Sequence, residues 1–224
     1  MSYILNIDTA TESASVCLSK EDTVLFMLTS DDQKNHAGFI QPAIAEILQK
    51  SDLQLTDLSA IAVTGGPGSY TGLRVGMATA KGLCFAINKP LIIVNTLEVM
   101  AIAAIEAVDE AISCFCPLID ARRMEVFTAI YNRELKVRLE PQALVLEEQT
   151  FADFLEKETV CFSGSGMKKL SKFLSHPNAR FEEVKHDSSH LASLSLKAFF
   201  RKDFADLAYS EPLYLKPFFD TAKK

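Results

Sequence analysis

The sequence has no excess of basic residues. Its 23 lysines and arginines stand against 29 aspartates and glutamates, which gives a net charge of −6 at pH 7. A protein that binds nucleic acid by itself needs a basic face, so this balance argues against that class. It is compatible with an acidic member of a larger assembly.

Long apolar runs are also missing. Glu106 interrupts the longest run, 99–108, which is far short of the roughly 20 residues that span a bilayer. The first apolar stretch ends at Asp8 and has no basic segment before it, so we expect no secretory signal. We therefore expect a cytoplasmic protein without membrane contact.

The common signatures of metal and catalytic sites are absent too. None of the five cysteines forms a CxxC pair, and the chain has no G-x-x-x-x-G-K-[ST] loop. His186 and His190 are four residues apart, but the residues between them are typical of a helix start. We expect no metal ligand and no catalytic residue, and we interpret the triad residue types at Asp187, Ser188 and His190 as coincidence.

The stretch 60–87 is the part around which the chain is organised. Residues 60–64 are apolar and predict a buried strand, and 65–69 form a glycine-rich turn that cannot continue it. A helix is predicted from Gly72 onward, with Ser69 or Thr71 as its N-cap. Each glycine inside a helix costs roughly 0.5–1 kcal/mol relative to alanine.

Small residues recur on one stripe of that helix, at Gly72, Gly76 and Ala80. The repeated cost predicts close packing against this stripe. Two alternatives stay open at this point: the stripe contacts a partner, or it lies against the protein's own sheet.

Two halves of the chain repeat one order of elements. Asp8 and Asp120 each end an apolar strand, and they are 112 residues apart, half of the 224-residue length. After each we predict a hairpin to a second strand, a third strand, a helix, a strand, a glycine turn and a helix. This order predicts an α/β protein that arose by duplication of a βββαβα unit.

In the first half the strands are predicted at 3–7, 14–18, 23–29 and 60–64 and the first helix at 36–51, where Pro42 should cause a kink or a late start. Asn95 is predicted to cap a further helix to about Val108. In the second half the helices are predicted over 147–158, with Thr150 and Asp153 at capping-box spacing, and from the glycine turn to Leu174.

A strand that ends in Asp-Thr, close to a glycine-rich loop, can hold a phosphate and its cation. The residues of this nucleotide-binding hypothesis are Asp8, Thr9, Gly65, Gly66, Gly68, Ser69 and Thr71. The competing hypothesis is that Asp8 closes a turn and the glycines only shape a bend. Pro67 and Tyr70 would crowd a phosphate and favour the second hypothesis. Arg74 could reach an anion or a partner carboxylate, or simply be solvated.

Four segments, in this order and spacing, resemble the TsaB family, also called YeaZ. They are LNIDTATESASVCL at 5–18, GGPGSYTGLRVG at 65–76, PLIDARRMEVFTAIY at 117–131 and EPLYLK at 211–216. The resemblance implies a two-lobed fold like those of actin, Hsp70 and sugar kinases, built on ribonuclease H-like units. We expect an N-terminal lobe over 1–101 and a C-terminal lobe over 102–224, with the final helix and tail packing back on the first lobe.

The resemblance also implies a function. Proteins of the TsaB family are non-catalytic partners of the transferase TsaD in making threonylcarbamoyladenosine next to the tRNA anticodon, and the ATPase TsaE joins them. The resemblance implies that the chain forms a heterodimer with TsaD and a homodimer when alone. It would contact tRNA only as part of the complex. The first-lobe helices would supply the contact: Phe39, Ala43, Ile47, Gly72, Leu73, Val75, Gly76, Thr79, Ala80 and Leu83.

Two other functions stay open as hypotheses. An active ATPase or small-molecule kinase of the same fold would use Asp8 and Asp120 and would hold ATP or ADP between the lobes. A peptidase would need a metal-bound water or an activated nucleophile, which these residues do not offer. If the small-residue stripe contacts the partner, Gly76→Leu should abolish partner binding in a folded monomer.

Overall fold

Strand β1 (Tyr3–Asp8) lies at the centre of the first of two five-stranded sheets. The computed structural model describes residues 2–216, apart from the side chain of Lys34. The other strands of this sheet are β2 (Ala14–Lys20), β3 (Thr23–Ser30), β4 (Ala60–Thr64) and β5 (Leu91–Val94). Their order is β3-β2-β1-β4-β5, with β1 to β3 antiparallel and β4 and β5 parallel to β1.

The second sheet repeats this arrangement. Its strands are β6 (Cys114–Asp120), β7 (Glu125–Asn132), β8 (Val137–Val145), β9 (Val160–Ser163) and β10 (Ala179–Phe181). Their order is β8-β7-β6-β9-β10, and the antiparallel and parallel pairings match those of the first sheet. The predicted duplication and the two-lobed α/β class are thus confirmed.

Over the described part of the chain, residues 2–216, six α-helices cover the sheets. They are α1 (His36–Ser51), α2 (Tyr70–Ile87), α3 (Thr96–Ala107), α4 (Ala152–Leu155), α5 (Met167–Leu170) and α6 (Ser188–Arg201). Helices α1 and α2 pack on one face of the first sheet, and α6 packs on the other. No helix within residues 2–216 has the length and apolar character that crossing a membrane requires.

Helix α3 joins the two lobes. Val99 and Ile102 pack with α6 on the first sheet, while Leu97, Met100 and Ala101 pack in the core of the second lobe. A helix that is apolar all round is buried on all sides, and α3 fits that rule. The predicted boundary between residues 101 and 102 falls inside α3, so we propose to move it into the loop 108–113. Residues 217–224 of the predicted second lobe lie outside the described residues.

Several predicted elements differ from the observed ones. Helix α2 begins at Tyr70 rather than Gly72, whereas α1 has the predicted bounds, with Pro42 in its second turn. Helices α4 and α5 are single turns, although longer helices were predicted over 147–158 and to Leu174. Thr150 does not cap α4, because its hydroxyl accepts from the Glu147 amide instead. Strand β10 was not predicted, since three residues carry no periodicity.

Candidate functional site

The Asp8 carboxylate, which the nucleotide-binding hypothesis assigns to a cation, is turned into the protein. Asp8 is 2% exposed, and its Oδ1 accepts from the Thr64 hydroxyl at 2.8 Å and the Ala10 amide at 3.1 Å. Its Oδ2 lies 3.6 Å from His186 Nε2. Both carboxylate oxygens therefore have partners within the chain.

His186 comes from the segment before α6, 178 positions from Asp8 in the sequence. Its Nε2 also lies 3.3 Å from the Thr11 hydroxyl. Burial lowers the pKa of His186, the nearby Asp8 charge opposes that shift, and His190 adds to it. Because Thr11 and Asp8 approach the same ring nitrogen, these three side chains do not have the geometry of a nucleophile–base–carboxylate triad.

Close contacts with Thr9 account for the glycines on the small-residue stripe of α2. Its hydroxyl donates to the Gly72 carbonyl at 2.7 Å in a fully buried contact. A Cβ at Gly72 would lie 2.1 Å from the Thr9 carbonyl oxygen, and one at Gly76 would lie 2.3 Å from Thr9 Oγ1. The stripe therefore packs against the chain's own turn after β1, which is the second of the two alternatives left open above.

The glycine loop is bonded into the first lobe. The loop amides donate inside the chain: Gly65 to Val94 O at 2.8 Å, Gly66 to Thr96 Oγ1 at 3.2 Å, and Ser69 to Ala10 O at 2.7 Å. Pro67 has no amide hydrogen. A Cβ at Gly68 would lie 2.1 Å from the Ala10 carbonyl oxygen, so this glycine is needed for close packing. The amides of Gly65, Gly66 and Ser69 are therefore engaged within the chain and are not available to a phosphate.

At Asp8, Thr9, Gly65 and Gly66 these contacts favour the hypothesis of a closed turn and a shaped bend, and nucleotide binding by these residues stays a prediction. Each of the four residues is buried and serves the packing of the first lobe. Ser69 is the N-cap of α2 and accepts from the Gly72 amide at 3.3 Å. Gly68, Ser69 and Thr71 are the members of the set that line the space between the lobes, and Thr71 is exposed at the start of α2.

A cleft of about 1300 Å³ lies between the lobes. Its first wall includes Thr11, Pro67 and Tyr70, and its second wall is the hairpin between β6 and β7. Charged side chains of both signs line it: Glu12, Arg74, Asp120, Arg122, Arg123, Glu125 and Lys216. This volume exceeds that of most small-molecule pockets.

Asp120 occupies the position in the second lobe that Asp8 has in the first. It accepts from Lys169 Nζ at 2.7 Å and from the Arg122 amide at 2.7 Å. Partial burial opposes ionisation, but these two donors outweigh it and hold the pKa of Asp120 below its usual range. Among residues 2–216 there is no group of three or more His, Cys, Asp or Glu residues that could hold a metal ion.

Arg74 neither points at an anion nor is fully solvated. Its guanidinium lies 4.0 Å from the centre of the Tyr70 ring, and its Nε donates to the Tyr214 hydroxyl at 3.1 Å. Tyr214 belongs to the C-terminal tail, 140 residues away. The sequence predicts that the tail packs back on the first lobe, but no local pattern predicts the contact of Tyr214 with Arg74.

Two further polar groups, His36 and the pair Asp187 and His190, have structural roles. His36 is buried at the start of α1, with its Nε2 3.4 Å from the Glu12 carbonyl oxygen. Asp187 is the N-cap of α6, and His190 completes the capping box, which explains the triad residue types.

The predicted interface residues divide by exposure. Those buried within the chain are Ala43, Ile47, Gly72, Leu73, Gly76 and Ala80. Those with partly exposed side chains are Phe39, Val75, Thr79 and Leu83. The side chains of the buried set fill the first lobe, and an interface role for them stays a prediction. Gly76→Leu is consequently expected to disrupt folding rather than partner binding alone.

The structure reveals an exposed stripe on the opposite side of α2, which we call the outer face. Its members are the exposed Thr71, Ala78, Gly82, Phe85 and Ala86 and the half-buried Val75, and the exposed Arg74 lies at its edge. Phe85 is 81% exposed, and nothing lies within 4 Å of a Cβ built at Gly82. A surface helix normally has charged residues on its solvent side. The spacing of these uncharged residues is visible in the sequence. The interface prediction relied instead on the stripe of small residues, because small residues allow close approach.

Comparison with known proteins places the chain in a family. The family model described as TsaD, tRNA N6-adenosine threonylcarbamoyltransferase, matches residues 28–212. A Haemophilus influenzae protein named "tRNA threonylcarbamoyladenosine biosynthesis protein TsaB" is 31% identical and covers 95% of this chain and 93% of its own length. The Bacillus subtilis protein of that name is 38% identical over 68% of this chain, and the match spans 64% of that relative.

Solved structures agree with this placement. YeaZ from Pseudomonas aeruginosa is 28% identical, with a TM-score of 0.80 over 96% of this chain and 100% of that one. A polyphosphate/ATP-glucomannokinase from an Arthrobacter strain is 11% identical with a TM-score of 0.52, over 90% of this chain and 100% of the other, and shows the fold alone. The sequence, the duplicated sheets and these matches together show that the chain belongs to the TsaB family.

Proposed function

We propose that this chain is a non-catalytic subunit in the biosynthesis of threonylcarbamoyladenosine on tRNA, where it binds and stabilises a TsaD-type transferase. Family membership supports the pathway, because relatives at 31–41% identity have that biosynthesis in their names. The outer face of α2 carries the proposal of a binding role. An uncharged surface that includes an exposed phenylalanine is typical of a protein–protein contact.

The geometry between the lobes supports a non-catalytic role. ATP hydrolysis in this fold would need an aspartate available in each lobe and an open glycine loop. Asp8 is bonded to Thr64 and Ala10, and Asp120 is paired with Lys169. Three amides of the glycine loop, those of Gly65, Gly66 and Ser69, are bonded within the lobe. The residues proposed for phosphate binding thus hold the first lobe together.

We propose that the outer face contacts the TsaD-type partner, together with Phe39, Thr79 and Leu83 at its margin. The same face would pair two copies of the chain in the absence of the partner. A TsaE-type ATPase would join the assembled pair, and tRNA would bind to the whole complex in the cytoplasm. The net charge of −6 fits a subunit that does not bind RNA by itself.

The test combines the chain with the TsaD-type protein of the same organism. Transfer of the threonylcarbamoyl group is measured with each protein alone and with both, and affinity is measured by calorimetry. We expect transfer by the mixture and none by this chain alone. Phe85→Ser should weaken association at least about tenfold, as expected for a buried aromatic anchor worth 1.4 kcal/mol or more.

The matched control is Phe200→Ser on α6, because Phe200 is also exposed (64%) but lies outside the outer face. This variant should keep wild-type affinity. Unchanged affinity in Phe85→Ser would exclude the outer face as the contact. ATP turnover by the isolated chain, lost in Asp8→Ala, would instead establish the ATPase or kinase hypothesis.

A further inference from the structure

The C-terminal tail crosses the cleft. Residues 211–216, which we call the strap, follow α6 and a loop that is bonded to the first lobe. In that loop, Lys81 Nζ on α2 donates to the carbonyl oxygens of Ala208 at 3.3 Å and Ser210 at 2.8 Å. The strap therefore enters the cleft from a fixed point on α2.

The first half of the strap lies on the glycine loop. The Leu213 amide donates to the Gly65 carbonyl at 2.7 Å. A Cβ at Gly66 would lie 2.7 Å from the Leu213 carbonyl oxygen, and Gly66 has a φ of +107°. Both the short distance and the positive φ require glycine at this position. Gly66 therefore forms the turn and also leaves room for the strap backbone.

The middle of the strap is held by an aromatic and cationic contact. The rings of Tyr214 and Tyr70 have centroids 5.2 Å apart, and the Arg74 guanidinium packs on Tyr70 while its Nε donates to the Tyr214 hydroxyl. The Tyr214 contact raises the pKa of Arg74 further, so the guanidinium stays charged. Ring pairs and cation–π contacts of this kind are favourable beyond their buried area.

The end of the strap reaches the second lobe. Lys216 forms an ion pair with Glu125, the first residue of β7. A partly exposed ion pair is weak by itself, so the contacts of Leu213 and Tyr214 hold most of the strap. Within residues 2–216, the strap is a segment of the cleft lining that bonds to both walls, whereas α3 joins the lobes away from the cleft.

We propose that the strap is an intramolecular clamp that fixes the spacing of the two lobes and covers the glycine loop. Its release widens the cleft and exposes the loop backbone. The proposal concerns this chain alone and does not depend on the proposed function, since neither readout below involves a partner or tRNA.

The first measurement is the distance between the lobes. Spin labels are attached to cysteines introduced at the exposed positions Gln49 and Lys157, one in each lobe. The five native cysteines are buried and should remain unlabelled. We expect Tyr214→Ala and Glu125→Gln each to shift the distance distribution to longer values and broaden it, because the strap joins the lobes through these two contacts in series.

Tyr209→Ala is the matched control, because Tyr209 is a tyrosine of the preceding loop with 86% of its surface exposed. It should keep the wild-type distribution. A chain that ends at Lys216 should also keep it, and a chain that ends at Ser210 should show the wide one. A wide distribution in the chain that ends at Lys216 would overturn the proposal, because residues 217–224 would then hold the lobes.

The second measurement is hydrogen exchange at the Leu213 amide. In Tyr214→Ala we expect its exchange to rise about tenfold while exchange in β1 and β4 stays unchanged. The unchanged strands would show that the variant is folded. If the distance distribution and the Leu213 exchange both stay as in the wild type, the strap is not a clamp.

Discussion

At the residue scale, α2 has glycine for two opposite reasons. Gly76 lies against Thr9 and has no room for a methyl group, whereas Gly82 faces open space on the outer face. An inward glycine is needed for packing. An outward one has only the helix-propensity cost, about 1 kcal/mol relative to alanine.

The two glycines should therefore respond in opposite directions to alanine. Gly76→Ala should lower the free energy of unfolding by about 1–2 kcal/mol, because displacement of Thr9 breaks its bond to Gly72 and outweighs the gain in helix propensity. Gly82→Ala should raise it by about 0.5–1 kcal/mol. Urea denaturation with circular dichroism measures both, and equal effects would contradict the packing described for Gly76.

At the scale of elements, α6 depends on its N-cap. Asp187 Oδ1 accepts from the Ser189 amide at 2.8 Å, and His190 Nδ1 lies 3.3 Å from the same oxygen. Contact with His190 lowers the pKa of Asp187 well below its usual range, and the hydroxyl and amide of Ser189 lower it further against the effect of burial. The cap thus requires the ionised carboxylate.

The cap should make a pH-dependent contribution to stability. Asp187→Ala should cost about 1 kcal/mol of unfolding free energy at pH 7. Because the pKa is lower in the folded chain than in the unfolded one, the stabilisation is complete above about pH 4 and declines as the pH falls below that value. Asp187→Asn, which keeps a cap acceptor, should retain most of the stability at pH 7. A cost of Asp187→Ala that is the same at pH 3 and pH 7 would contradict this.

At the scale of the whole molecule, the lobes are not independent. Helix α6 comes from the second half of the chain but covers the first sheet, where Leu191 and Leu194 pack with Ile4 and Ile92. Helix α3 contributes to the cores of both lobes. Each lobe therefore exposes a large apolar surface when it is separated from the other.

We expect that the two halves of the chain, 1–111 and 112–224, do not fold separately but fold when they are produced together. A fragment of residues 1–111 should aggregate or stay partly folded, because it lacks α6 and exposes one side of α3. Co-expression with 112–224 should restore a compact complex. Size-exclusion chromatography and circular dichroism make the comparison. A monomeric, cooperatively folding 1–111 fragment would show that the first lobe does not need the second half.

The sequence by itself determined the elements whose signals are local. The strands β1 to β4, the start of α3 at its Asn95 cap and the duplicated order of elements follow from periodicity and from capping within a few residues. The family resemblance followed from four contiguous segments. Helices α4 and α5 were predicted too long, because the helical spacing of their apolar residues does not show where tertiary contacts end a helix.

Tertiary structure alone decided what the site residues contact. Asp8 contacts His186, and Arg74 contacts Tyr214, although the residues of each pair are more than 130 positions apart in the sequence. No local pattern encodes such pairs, so the same Asp and glycines fitted both a phosphate site and a packed turn. The stripe of α2 was ambiguous for the same reason: periodicity shows that small residues share a side, but only the packing of Thr9 against Gly72 and Gly76 shows that this side faces inward.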